Sequence, residues 1–193
     1  MKEYNFTDYF DLDIVDCSDD EVMVDCGAYT GDSVLNFVET YGKYKRVYAF
    51  EMTPGTYNVL KENTTIYDNI VCINKAVGDK REVIYINDTV EDAGNSIDRK
   101  GNIPIEIVLL DEEIKESISL IKMDIEGAEK DAINGARRHI VNDKPKLLIS
   151  AYHTPADIFD IPLLINEIRD DYKFYLRLNG MGIWPCDYVI SAV

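Results

Sequence analysis

Nowhere in the sequence is there an apolar run long enough to span a bilayer as a helix. The amino-terminal MKEYNFTDYFDLD is too acidic and too interrupted to serve as a secretory signal. Basic residues are scarce: 20 Lys and Arg against 36 Asp and Glu leave a net charge of −16. Nucleic-acid phosphates and anionic membranes both require a Lys/Arg excess, so neither is expected as a partner. The four cysteines (Cys17, Cys26, Cys72, Cys186) have no C-x-x-C spacing and no neighbouring histidines. This excludes a zinc ribbon and gives no disulfide framework, and reduced thiols in a cytoplasmic protein are the expectation. Internal repeats and low-complexity tracts are absent as well.

What is present is the composition of an ordinary globular chain, 193 residues with 46% hydrophobic and 29% charged. Residues 1–20 mix aromatics (Tyr4, Phe6, Tyr9, Phe10) with acids and read as an amino-terminal flap or extension. Residues 21–193 read as one α/β domain, because strand-like and helix-like segments alternate as they do around a doubly wound, mostly parallel sheet. Val22–Cys26 is a short apolar run. Val34, Phe37, Val38 and Tyr41 then follow at i, i+3, i+4 and i+7, with Gly42 as the stop. Arg46–Phe50 and Ile70–Ile73 are further strands, and between them Thr53-Pro54 supplies an N-cap and a first-turn proline for a helix.

Residues 82–117 are expected to be irregular. Two strands, Glu82–Ile86 and residues 105–110, are separated by a polar loop over residues 87–102. Loops of that length inside a domain are often functional, and this one carries Gly94-Asn95-Ser96. Residues 118–124 form the next strand, and Ala132, Ile133, Ala136 and Ile140 mark the helix after it. Lys146–Ser150 follows, then a helix carrying Leu163, Leu164 and Ile168. Two terminal strands, residues 173–178 and Tyr188–Ala192, are expected to pair antiparallel.

In such a sheet a ligand binds outside the carboxyl ends of the strands, so the first strand-turn-helix is the place to look. It reads Asp25-Cys26-Gly27-Ala28-Tyr29-Thr30-Gly31. Gly27 permits a tight turn, Gly31 permits close approach, and the helix amides after it can receive a carboxylate. A dinucleotide would require glycine at two further places, where this chain has Tyr29 and Asp32. A ring would then stand where pyrophosphate meets backbone, and a carboxylate would repel it, so a nicotinamide cofactor is disfavoured. Glu51, at the end of the second strand, is suited to accept hydrogen bonds from ribose hydroxyls.

The acid–base candidates are few. His139 lies near a helix carboxyl end and reads as structural. His153 lies just past the fifth strand, on the edge shared with Asp124, and is the candidate general base or acceptor contact. Asp124, Glu126 and Glu129 form a carboxylate cluster at the fourth strand end. Asp124 is the best placed for cofactor or acceptor, whereas Glu129 equally suits a helix first turn. With His153 these acids have the composition of an oxygen-rich metal site, but spacing does not establish convergence and no metal is assigned. Lys122 reads as a packing residue.

Several segments taken in order resemble the FkbM-type methyltransferase family: VDCGAYTGDS (residues 24–33), FEMTP (50–54), NKAVG (74–78), LLDE (109–112) and IKMDIEGAE (121–129). A-Y-H-x-x-x-D-x-x-x-I-P (151–162) and Y-L-R (175–177) continue the likeness, which runs from residue 21 to the carboxyl terminus. The resemblance implies a seven-stranded class I methyltransferase sheet with an antiparallel carboxyl-terminal hairpin. It implies S-adenosylmethionine as methyl donor, S-adenosylhomocysteine as product, and O-methylation of a sugar, glycan or secondary metabolite. Carried over, Asp25 and the turn Gly27, Ala28, Tyr29, Thr30 and Gly31 line the methionine end. Glu51 takes the ribose, Met52 lies beside the adenosine, Ala76 and Val77 lie near the adenine, and Asp124 closes the site. Met52 replaces a common proline. Leu178-Asn179 departs from the family's usual His-aromatic pair, which with the short amino terminus motivates an alternative, a cofactor-binding module without catalysis.

Overall fold

The computed structural model describes residues 9–10, 13–86, 101–178 and 188–193. Its centre is a seven-stranded sheet made from β1 (Val22–Cys26), β2 (Arg46–Phe50), β3 (Ile70–Ile73), β7 (Leu120–Met123), β8 (Lys146–Ser150), β9 (Phe174–Leu178) and β10 (Tyr188–Ala192). The strand order is β3-β2-β1-β7-β8-β10-β9. β10 pairs antiparallel with both of its neighbours, and the pairings from β3 through β8 are parallel. The expected doubly wound sheet with its antiparallel hairpin is therefore present. A second sheet, β4 (Ala76–Val77), β6 (Ile103–Val108) and β5 (Glu82–Ile86), holds the irregular segment together.

The central strands are buried on both faces, as parallel strands between helix layers must be. Their side chains alternate between two cores. Val24, Cys26, Ile121, Met123, Leu147 and Ile149 face a cluster completed by α4 (Glu129–Asn134), α5 (Arg137–Asn142) and α6 (Asp157–Ile168). Met23, Leu120 and Leu148 face the other, built with Val34, Phe37 and Val38 of α1 (Asp32–Tyr41) and Leu60 of α2 (Pro54–Thr64). Phe10 joins this second core, its ring 5.5 Å from Phe37 and 5.9 Å from Tyr41.

Three boundaries differ from the sequence reading. Ala132, Ile133, Ala136 and Ile140 are all buried, but two short helices replace one: α4 carries Ala132 and Ile133, α5 carries Ile140, and Gly135 and Ala136 lie between. A Cβ at Gly135 would stand 2.0 Å from the Gly78 carbonyl, so the chain breaks where the two backbones touch. The strand expected at 105–110 is Ile103–Val108, and Leu110 instead opens the short α3 (Leu110–Glu113). The strand expected at 118–124 is reduced to Leu120–Met123, with the Asp124 amide still donating to the Cys26 carbonyl at 3.0 Å. The loop around Gly94-Asn95-Ser96, Tyr4, Phe6, Cys186 and Asn179 lie outside the described residues.

Candidate active site

The strand order reverses between β1 and β7: from β1 the chain goes out to β2 and β3, then returns to β7 and β8. The crevice at their carboxyl ends is where such sheets bind ligands. Gly27 and Glu51 lie side by side there. The Gly27 and Ala28 amides donate to the Phe50 carbonyl at 3.0 and 2.9 Å. One Glu51 carboxylate oxygen accepts the Tyr29 amide at 3.1 Å and the other the Thr53 amide at 2.8 Å. Burial pushes the Glu51 carboxyl above its usual range, and the two amides pull against that shift. Asn74 donates its amide to the Glu51 and Met52 carbonyls at 2.8 and 2.9 Å, tying the β2 end to the segment before β4.

Within the turn, Gly27, Tyr29 and Gly31 have φ of +81°, +48° and +94°. Ala28 is buried and Tyr29 is exposed. The Thr30 carbonyl accepts the Asn63 side-chain amide at 2.8 Å. A Cβ at Gly27 would stand 2.0 Å from the Asp124 carbonyl oxygen, so only glycine lets the first turn lie against the β7 end.

The Asp25 side chain is fully buried, accepts a hydrogen bond from Ser33, and lies 3.0 Å from the Lys122 ammonium. Lys122 also donates to the Gly27 carbonyl at 2.8 Å. Burial pushes the Asp25 carboxyl up, opposed by Lys122 and Ser33. Burial also works against the Lys122 charge, but Asp25 and Asp124 outweigh it and hold Lys122 above its ordinary value. Lys122, read from the sequence as packing, is thus the buried cation that ties β1, the turn and β7 together. A lone lysine in the apolar run Ile118-Ser119-Leu120-Ile121-Lys122-Met123 was the available signal, since a central parallel strand admits a charge only beside a partner.

Asp124 does face the site. Tyr9 and Tyr152 donate their hydroxyls to its two oxygens at 2.7 and 2.8 Å. Burial opposes its charge, but Lys122 and the two hydroxyls outweigh burial and hold the carboxyl below its usual range. The Tyr9 ring lies 5.1 Å from the Lys122 ammonium, and burial together with the Asp124 charge pushes its hydroxyl far up, so it remains a donor. The resemblance gave neither tyrosine a role, although Tyr152 stands in its A-Y-H segment.

His153 stacks on Tyr152, with centroids 4.3 Å apart. Its Nδ1 is 3.3 Å from a Glu129 oxygen, and its Nε2 is 3.4 Å from Glu126 and 3.8 Å from Asp124. Asp124, Glu126, Glu129 and His153, whose convergence the spacing does not establish, do come together here. Glu129 serves its helix as well, accepting the Ile125 and Gly127 amides at 2.9 and 3.4 Å. Burial raises its carboxyl against the pull of those amides. His139 is buried elsewhere, 2.6 Å from Asp143, in keeping with a structural role.

Ala76 and Val77 form β4, with Val77 in the core and Ala76 half-buried. A cavity of about 620 Å³ lies at the opposite sheet edge, among Val22, Lys45, Ser119 and Asp143, and has no part in this constellation.

Residues 25–175 match the methyltransferase FkbM domain. The chain belongs to the FkbM methyltransferase family. It is similar to a crystal structure of methyltransferase FkbM from Methylobacillus flagellatus, with TM-score 0.81 and 31% identity, covering 98% of this chain and 48% of that one. It thus spans about half the length of that relative. The fold is shared with precorrin-6y C5,15-methyltransferase from Geobacter metallireducens (TM-score 0.57, 14% identity, 91% of this chain and 81% of that one). It is also shared with a methyltransferase-type protein from Streptococcus mutans, solved in complex with SAH (TM-score 0.55, 11% identity, 93% and 90%). No curated protein matches the sequence.

Proposed function

We propose that this FkbM-family chain is an S-adenosylmethionine-dependent methyltransferase acting on a hydroxyl of a sugar, glycan or secondary metabolite. The observation that carries the reading is the contact between the Gly27–Gly31 turn and Glu51 at the sheet's switch point. The turn offers helix amides to a methionine carboxylate, and Glu51 offers carboxylate lone pairs to a ribose. Met52 and the β4 residues Ala76 and Val77 are assigned to the adenine side. A sulfonium methyl is already activated, so the protein's task is to align the acceptor and exclude water, worth roughly 7–11 kcal/mol of barrier.

The acceptor end is assigned to Asp124 and His153, where a hydroxyl passes its proton to the His153 imidazole as its oxygen takes the methyl. The bond to sulfur breaks with its electron pair, leaving a thioether and an ether. The acidic walls suit a neutral or cationic acceptor better than an anionic one. Calorimetric titration with S-adenosylmethionine tests the cofactor assignment, and labelled donor methyl with cell extract, read by mass spectrometry, tests transfer. Absence of binding heat in both the wild-type protein and Glu51→Ala would overturn the proposal.

A further inference from the structure

His153 presents an unusual arrangement. Both ring nitrogens are shielded from solvent, and neither makes a hydrogen bond. Buried polar atoms without partners are rare in folded proteins and call for an explanation. Around this ring stand three carboxylates from one chain segment, residues 124–129, at 3.3, 3.4 and 3.8 Å. One ligand atom each from Asp124, Glu129 and His153 lies within 4.8 Å of the others. The Glu129 side chain is only 2% exposed, so its negative charge lacks the water that would otherwise screen it.

We propose that Asp124, Glu129 and His153 form a binding site for one divalent cation of the manganese or magnesium class. The donor set, two carboxylate oxygens and one imidazole nitrogen with no thiolate, favours such hard to borderline ions. The three ligands come from rigid places: the residue after β7, the first residue of α4, and the loop three residues past β8. Each is already held. Two tyrosine hydroxyls fix Asp124, two backbone amides fix Glu129, and the Tyr152 ring fixes His153. Such outer contacts commonly orient metal ligands. A cation here neutralises carboxylates that a single imidazole leaves in excess.

The consequence for chemistry rests on the methyltransferase reading. A cation in this corner lowers the pKa of a bound hydroxyl and places positive charge where acceptor oxygen becomes anionic. The proton then leaves to solvent, and His153 serves as ligand in place of general base.

The test uses the full chain with manganese(II) alone, no methyl donor added. Electron paramagnetic resonance should show loss of the free-ion signal at one ion per chain. The bound ion should show nitrogen modulation in a spin-echo experiment, the signature of an imidazole ligand. His153→Ala and Glu129→Gln should each weaken binding by at least about tenfold, while Glu126→Gln, outside the ligand trio, should change it by less than about threefold. The nitrogen signal is read on the wild-type protein, so it decides the matter even if a variant fails to fold. Absence of manganese binding at 1 mM (about the weak limit for such sites), or a bound ion without nitrogen coupling, overturns the proposal. Because no donor is present, a cation site without methyl transfer would sink the proposed function alone, and transfer without a cation would sink this inference alone.

Discussion

Asp25 and Lys122 are register partners on adjacent parallel strands, and their charged ends meet at 3.0 Å in the interior. Each excuses the burial of the other. Removing one leaves an uncompensated interior charge, which commonly costs about 3–5 kcal/mol. Lys122→Met should therefore lower the thermal midpoint by at least about 6 °C for a chain of this size. The double variant Asp25→Asn/Lys122→Met should recover part of that loss. Thermal unfolding of the three variants checks this, and additive losses in the double variant would show that the two charges are not coupled.

The turn above this pair depends on a backbone conformation as much as on side chains. Gly27→Ala meets the Asp124 carbonyl and also needs φ of +81°, so it should cost more than the roughly 1–2 kcal/mol of a left-handed residue alone. It should abolish S-adenosylmethionine binding by spreading β1 from β7. Gly42 supplies the control. Its φ is +74°, but a Cβ there meets nothing within 4 Å, so Gly42→Ala should show the conformational cost and unchanged affinity.

Glu51→Gln keeps the shape of the side chain but loses its charge. Hydrogen bonds to charged groups are worth about 1.5–3 kcal/mol, so affinity for S-adenosylmethionine should fall about 10- to 100-fold by calorimetry. The remaining side-chain oxygen still accepts one of the Tyr29 and Thr53 amides, while the other amide loses its acceptor to the NH2 group, and the far-ultraviolet circular dichroism should not change. Undiminished affinity would remove Glu51 from the ribose.

The strand-helix alternation made the fold legible, because parallel strands buried on both faces are continuous apolar runs whatever else the chain does. Gly27, Glu51, Asp124 and His153 were legible because each lies one to three residues past the carboxyl end of a parallel strand, and such ends on one sheet edge must be neighbours. Lys122 and Tyr9 were not. Lys122 points the same way as Asp25 only because the β1–β7 register pairs them, and no local pattern encodes a register between strands 97 residues apart. Tyr9 reaches Asp124 across 115 residues of sequence. The helix at Asp157–Ile168 shows a different limit. Leu163, one of the residues that marks the helix in the sequence, is 62% exposed, while Ile161 and Ile165 are buried, because the apolar residues of that helix occupy more than one face.

The start of that helix gives a pH-dependent prediction. Asp157 accepts the Thr154 amide at 2.8 Å and pairs with the Lys130 ammonium at 3.1 Å. Burial opposes its charge, but Lys130 and Thr154 outweigh burial and lower the carboxyl below its ordinary 3.8. A carboxylate depressed in the folded state binds protons more readily when unfolded. Its stabilising effect is therefore complete above the unfolded value and is lost as pH falls through the folded one. Asp157→Asn should unfold at lower urea than the wild-type protein at pH 7, by about 1 kcal/mol. The gap should narrow below about pH 4, as the wild-type carboxyl takes up its proton. Lys130→Met should show the same narrowing, since it removes the same pairing from the other side. A gap for Asp157→Asn that stays constant from pH 7 to pH 3 would mean that residue 157 acts through its shape alone, and that the charge pair at the head of the helix contributes nothing.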